Sequence, residues 1–137
     1  MEDHKLLKVA IIGSGNLGTD LLFKVLRSPF LDCVLFVGRS PDSKGLQRAR
    51  NLGVSISSDS IRAIEDQKDQ IDLVFDCTSA SQHRIHAPIF AKYNIKAIDL
   101  TPAKLGEFCI PSINLDAILQ ANNINMVTCG GQSSIPI

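Results

Sequence analysis

The sequence predicts one α/β domain built on a doubly wound, mostly parallel sheet. Three observations carry that prediction: short runs apolar on both faces, helical periodicity between them, and a glycine-rich turn where the first run meets the first helix. The runs are Val9-Ala10-Ile11-Ile12, Cys33 to Val37, Ile71 to Phe75, Ala97-Ile98 and Asn125 to Thr128, with Val54-Ser55-Ile56 a weaker further strand. Strands covered by helices above and below read this way, because neither face meets water. Between them Leu17, Leu21, Leu22, Val25 and Leu26 form one helical apolar face; Ile85, Ile89, Phe90 and Tyr93 form another; Leu115, Ile118 and Leu119 form a third. Ser43 to Leu52 and Asp59 to Gln67 have thin apolar faces and predict two weaker helices. Pro88 lies inside the Ile85 to Tyr93 pattern, so that helix begins near it or kinks there. Strand and helix alternate throughout, which favours right-handed crossovers between parallel strands.

The chain has 137 residues, the size of one domain, and its 45% apolar and 20% charged content is that of a folding chain, not a disordered one. Lys plus Arg equals Asp plus Glu at 14 each, so there is no basic surplus to attract nucleic acid or an anionic membrane. No apolar stretch approaches the roughly 20 residues of a membrane helix. The mixed-charge start Met-Glu-Asp-His-Lys does not read as a secretory signal, and the expected location is cytoplasmic. Cys33, Cys77, Cys109 and Cys129 form no C-x-x-C pair and no histidines cluster with them, so neither zinc nor disulfides are expected.

The first strand runs into Gly13-Ser14-Gly15-Asn16-Leu17-Gly18, a G-x-G-x-x-G with a strand before it and an amphipathic helix after it. In that context the first glycine permits the tight turn, the second lets backbone approach a pyrophosphate, and the third allows close helix packing. The fold class is therefore Rossmann-like, and residues 13–18 are the expected dinucleotide loop, with helix-start N–H groups holding the phosphates. An ordinary strand-to-helix turn is the alternative. The second strand ends Val37-Gly38-Arg39-Ser40, with no acid placed to bind an adenosine 2′-hydroxyl. Arg39 and Ser40 suit a 2′-phosphate and so favour NADP over NAD; the alternative is a solvated Arg39 stacking on adenine.

Ligands in open α/β sheets bind beyond the carboxyl ends of the strands, so the residues just past each strand are candidates. Thr78, Ser79 and Ser81 follow the fourth strand and suit either a ribose or pyrophosphate contact or the cap of the next helix, capping being favoured. Cys129 is followed by two glycines and a polar segment that reads as a helix start, where backbone N–H groups would lower a thiol pKa and cradle an oxyanion. It is a candidate nucleophile; the other three thiols read as small buried hydrophobes. His83 and His86 are candidates for its base, but their place near a helix start points to solvated or capping residues.

The stretches Lys8 to Asn16 with Gly18-Thr19-Asp20, Val74-Phe75-Asp76 with Thr78 to Ser81, Ile98 to Ala103, and Asn125 to Gln132 strongly resemble the N-terminal part of the CoA-acylating acetaldehyde dehydrogenases of aromatic meta-cleavage pathways. The resemblance covers essentially the whole chain. It implies that Cys129 is the acyl-thioester nucleophile and that Ser14, Gly15, Asn16 and Leu17 line the dinucleotide site. It also implies a reaction in which the Cys129 thiolate adds to acetaldehyde, hydride passes to nicotinamide, and coenzyme A intercepts the thioester. Implied partners are a small aldehyde, coenzyme A and a 4-hydroxy-2-oxovalerate aldolase that feeds the aldehyde. Such chains commonly carry an acid where Arg39-Ser40 stands, and they prefer NAD. They are also more than twice as long as this one, so residues 1–137 are expected to be a cofactor domain carrying the nucleophile near its end. The family's C-terminal substrate and dimerisation domain is expected to be absent, making this a truncated or excised form. A non-catalytic dinucleotide-binding module and another semialdehyde dehydrogenase are the competing expectations.

Overall fold

The computed structural model describes residues 6–103, 105–108 and 122–126. Among these residues the sheet has seven strands, each pair parallel: β1 (Leu7–Ile12), β2 (Leu31–Val37), β3 (Ile56–Ser57), β4 (Leu73–Asp76), β5 (Lys96–Asp99), β6 (Glu107–Phe108) and β7 (Asn123–Asn125). Their order is β3-β2-β1-β4-β5-β7-β6, so the chain builds outward from β1 in one direction and then crosses to β4 and builds in the other. The crevice between β1 and β4 is the switch point of a doubly wound sheet, where such folds bind ligands. The connecting helices are α1 (Asn16–Arg27), α2 (Lys44–Asn51), α3 (Ile61–Asp66) and α4 (Ala80–Lys92).

β1 shows why both faces must be covered. Val9 and Ile11 point into one core with Phe36, Leu73 and, from α1 and α2, Leu22, Val25, Leu46 and Ala49. Ala10 and Ile12 point into the other, with Leu35, Val37, Val74, Ala63, Ile64 and Phe90. The period of two in a strand sends adjacent residues to opposite layers, which a run apolar throughout accommodates on both sides.

Helix ends are set by local chemistry. Ser43 caps α2 by accepting from the Leu46 N–H, and Ser79 caps α4 by accepting from the Gln82 N–H. At their other ends Gly53 and Asn94 adopt positive φ values of 82° and 55°. The N–H groups of Val54 and Ile95 then reach back to the carbonyls of Ala49 and Phe90, closing both helices with the same paired motif.

Two expected faces are corrected. In α1 the buried residues are Gly18, Thr19, Leu22 and Val25, while Leu17 and Leu26 are exposed. In α4 they are His83, His86 and Phe90, while Ile85 is 56% exposed. Polar partners at the sheet end draw the two histidines inward, and that rotates Ile85 outward. α4 runs through Pro88 without ending. Pro88 and Arg84 both face solvent, so the Arg84 carbonyl that loses its helical donor is left to water. The last strand lies at Asn123–Asn125, starting earlier than the expected Asn125 to Thr128. The expected helix at Leu115 to Leu119 falls outside the described residues.

Leu22 has no exposed surface. Leu22→Ala is expected to cost about 2–5 kcal/mol, read as a lower urea midpoint with an unchanged slope.

Candidate functional site

The turn after β1 is fixed by close backbone approach. Gly13 has φ +115°, and a Cβ on it would lie 2.6 Å from the main-chain carbon and oxygen of Cys77 at the end of β4. A Cβ on Gly18 would lie 1.8 Å from the Gly13 carbonyl oxygen, so the first turn of α1 sits directly on the loop. Gly15 differs: no heavy atom lies within 4 Å of where its Cβ would be. α1 begins after Gly15 with no side-chain cap, so no side chain occupies its first N–H groups. The result is a cradle with the shape and polarity a pyrophosphate requires.

A cavity of about 350 Å³ opens at this point, between the ends of β1, β2 and β4. It brings together seven of the expected residues: Gly13, Ser14 and Gly15 from the loop, Arg39 and Ser40 after β2, and Thr78 and Ser79 after β4. Asn16 instead lines a neighbouring cavity of about 390 Å³ with Asp20, Lys44 and Arg48. Leu17 is 47% exposed and lines neither, and Gly18 packs behind the loop. Cys129 lies outside the described residues. Ser79 both lines the cavity and caps α4, whereas the Thr78 hydroxyl is bound to Asp76 and caps nothing.

The cavity also contains Ser43, Ser60 and Gln82, which the sequence reading did not single out. Ser43 shares a 2.8 Å hydrogen bond with Ser14, tying α2 to the loop, and its place before a helical stretch was a visible signal. Ser60 stands at φ 55°, a backbone conformation that nothing in its side chain announces.

Behind the cavity wall lies a buried polar cluster. Asp76 ends β4 and is fully buried. Its Oδ2 receives His83 Nδ1 at 2.7 Å and His86 Nδ1 at 2.9 Å; its Oδ1 accepts the Thr78 N–H at 3.1 Å and the Thr78 hydroxyl. His83 Nε2 lies 3.4 Å from Asp99 Oδ2 and 3.1 Å from the Asn123 amide nitrogen. Asp99 in turn accepts the Thr101 N–H at 2.7 Å and is approached by Asn125 Nδ2 at 3.5 Å. His86 Nε2 is buried and has no hydrogen-bond partner among the described residues. The histidines are therefore neither solvated nor capping residues, because the carboxylate at the end of β4 holds both inside.

Burial opposes charge on Asp76, but the bonds from His83, His86 and Thr78 outweigh it and hold its carboxyl well below the usual range. Burial likewise opposes charge on His83, and Asp76 and Asp99 outweigh it and raise its pKa. Burial raises that of Asp99. Cys77, although it lines the cavity, is muted: burial, then the charges of Asp76 and Asp99, push its thiol up to about 12. Burial pushes Cys33 up to about 11. Both are partly buried and pack against one core, consistent with the hydrophobic role expected of them.

The model of the semialdehyde dehydrogenase NAD-binding domain matches residues 8–121. The chain belongs to that family. This NAD-binding domain is 54% identical over 133 residues to an acetaldehyde dehydrogenase of Spirochaeta aurantia, covering 97% of this chain and 45% of that protein. It is 52% identical over 130 residues to a propanal dehydrogenase (CoA-propanoylating) of Mycobacterium bovis, covering 95% of this chain and 43% of that one. The chain thus spans less than half the length of these curated relatives. Among solved structures, aspartate semialdehyde dehydrogenase with NADP from Candida albicans matches with a TM-score of 0.69 at 13% identity, over 83% of this chain and 36% of that one. GenD2 from gentamicin A biosynthesis in complex with NAD matches with a TM-score of 0.61 at 22% identity, over 69% and 26%. These two likenesses show the fold. No helix among the described residues is long and apolar enough to cross a membrane.

The buried cluster sets a pH dependence. Asp76, with its lowered folded pKa, contributes stability above its ordinary 3.8 that is lost as pH falls below it. His83, with its raised folded pKa, contributes stability below its ordinary 6.5 that is lost as pH rises through the folded value. Asp99, also raised, adds a decline as pH climbs above 3.8. Melting temperature measured across the pH range is expected to rise from low pH toward the ordinary carboxylate value of 3.8, to fall above it, and to fall further once pH passes the ordinary histidine value of 6.5. Asp76→Asn is expected to flatten the acid limb, and an unchanged limb would contradict the assignment.

Proposed function

We propose that this chain is the dinucleotide-binding part of a CoA-acylating aldehyde dehydrogenase, with Cys129 the nucleophile that carries the acyl group. The observation that carries the reading is the open cradle at Gly15: the loop backbone is closed off by Cys77 and α1 behind, yet nothing fills the space in front. Ser14 and Gly15 with the first N–H groups of α1 would hold the pyrophosphate, and Thr78 and Ser79 would face it from β4. The bound nicotinamide supplies the hydride acceptor for aldehyde oxidation. Cys129 forms the thioester that coenzyme A then takes, dividing one difficult acyl transfer into two easier steps. Support for this chemistry comes from the relatives, an acetaldehyde dehydrogenase and a CoA-propanoylating propanal dehydrogenase, and from the sequence around Cys129. The same resemblance supplies the wider setting: acetaldehyde as substrate, an aldolase partner, aromatic catabolism and a cytoplasmic location.

The reading extends to NADP as the preferred dinucleotide, and what supports it is the end of β2. Arg39 and Ser40 both line the cavity at the end of β2, and no acidic residue is among the described residues that line it. A 2′-phosphate would find a guanidinium and a hydroxyl, whereas a 2′-hydroxyl would find no carboxylate acceptor.

Calorimetric titration is expected to show NADP binding that Arg39→Ala weakens about tenfold, a loss of about 1.4 kcal/mol, with NAD affected less. Tight NAD binding with no NADP affinity would overturn the preference. Gly15→Ala is expected to leave the melting temperature nearly unchanged and to weaken both dinucleotides. The rate of Cys129 alkylation against pH is expected to give an apparent pKa below the free-thiol value of about 8.5, and a value at 8.5 would count against an activated nucleophile. These 137 residues alone are expected to bind dinucleotide without useful turnover; robust CoA-dependent acetaldehyde oxidation would show otherwise.

A further inference from the structure

We infer that His83 is a positioning residue for the dinucleotide site: through the Asp76 carboxylate it fixes Thr78 in the cavity wall. The inference rests on the dinucleotide reading above and adds to it a residue that does not itself line the cavity.

The geometry is a two-sided carboxylate. On its inner side Asp76 Oδ2 receives His83 Nδ1 at 2.7 Å, with both side chains fully buried. On its outer side Oδ1 receives the Thr78 N–H at 3.1 Å and the Thr78 hydroxyl. Rotation of the carboxylate is stopped from behind by the imidazole, and Thr78 follows the carboxylate. Among the described residues the Thr78 side chain is anchored by Asp76, since the cap of α4 is Ser79. His83 is held in its turn by α4 and, at Nε2, by the Asn123 amide of β7, with Asp99 Oδ2 of β5 3.4 Å from the same nitrogen. His86 reaches the same Oδ2 at 2.9 Å, but its Nε2 meets no partner among the described residues, so it adds a second bond to the carboxylate without an anchor of its own. His83 is therefore the residue that links the carboxylate to the neighbouring strands.

The two nitrogens of His83 can be replaced separately. Asn at position 83 keeps an amide near Nδ1 and so the bond to Asp76; Gln extends toward Nε2 and so toward Asp99 and Asn123. The test measures, in the full 137-residue chain, the Thr78 amide proton shift without ligand and NADPH affinity by fluorescence titration. His83→Asn is expected to retain the downfield Thr78 amide and to bind within about threefold of the parent. His83→Gln and His83→Leu are expected to lose the downfield shift and to bind about tenfold more weakly, a loss of about 1.4 kcal/mol. With Thr78→Ala already present, His83→Gln is expected to weaken binding much less, because the two effects share one route. An unmoved Thr78 amide in folded His83→Gln, equal binding by the Asn and Gln variants, or additive losses in the double variant would each overturn the inference while leaving the dinucleotide reading intact. If the parent chain binds neither NADPH nor NADH, both fall together. Should His83→Leu fail to fold, the Asn and Gln pair decides the matter alone.

Discussion

The approach of Gly13 to the Cys77 backbone is the constraint on which the rest of this domain depends. It brings the ends of β1 and β4 within contact at the point where the sheet changes direction, and leaves no room for a side chain between them. Gly18 then seats α1 on the same turn, so strand, loop and helix form one rigid corner. A loop held this way presents its N–H groups without a side-chain cap and without reorganisation when a phosphate arrives, which is what backbone recognition of an anion requires.

The buried cluster behind that corner does for the strand ends what the glycines do for the loop. Asp76, Asp99 and Asn125 sit at neighbouring positions on β4, β5 and β7, in register with one another, and His83 bridges the first two. Buried charges are expensive alone and specific when paired, because only one arrangement satisfies all of them. The ends of three strands are therefore held by polar contacts, whereas their middles are held by aliphatic packing. Cys77 shares this environment, and that is why a thiol lining the cavity is a poor nucleophile there.

Much of this was legible in the sequence. Apolar runs located β1, β2, β4 and β5 to within a few residues, and the G-x-G-x-x-G located the loop, because both signals are local. The faces of α1 and α4 were not legible in the same way. Leu17 continues an apolar period yet projects from the first turn of α1 into solvent, and Ile85 yields its inward place to His83 and His86. Hydropathy ranks histidine as polar and assigns it outward; only a carboxylate contributed by a strand seven residues earlier makes the inward rotation favourable. Ser60 and Gln82 reach the cavity through chain geometry with no motif to mark them. Arg39 and Ser40 were found because the end of β2 has a known place in such a sheet.

β1 also limits how this domain can vary. Val9 and Ile11 serve one core and Ala10 and Ile12 the other, so a single-residue insertion within this strand would exchange the contents of both layers at once. It would also displace Gly13 from Cys77 and misplace the corner. The stretch between α3 and β4 is freer, since the short 3-10 turn Lys68–Gln70 buries none of its residues. Length changes are therefore tolerated at the rim of the sheet and forbidden at its centre, and a designer grafting this domain would cut and splice only at the former.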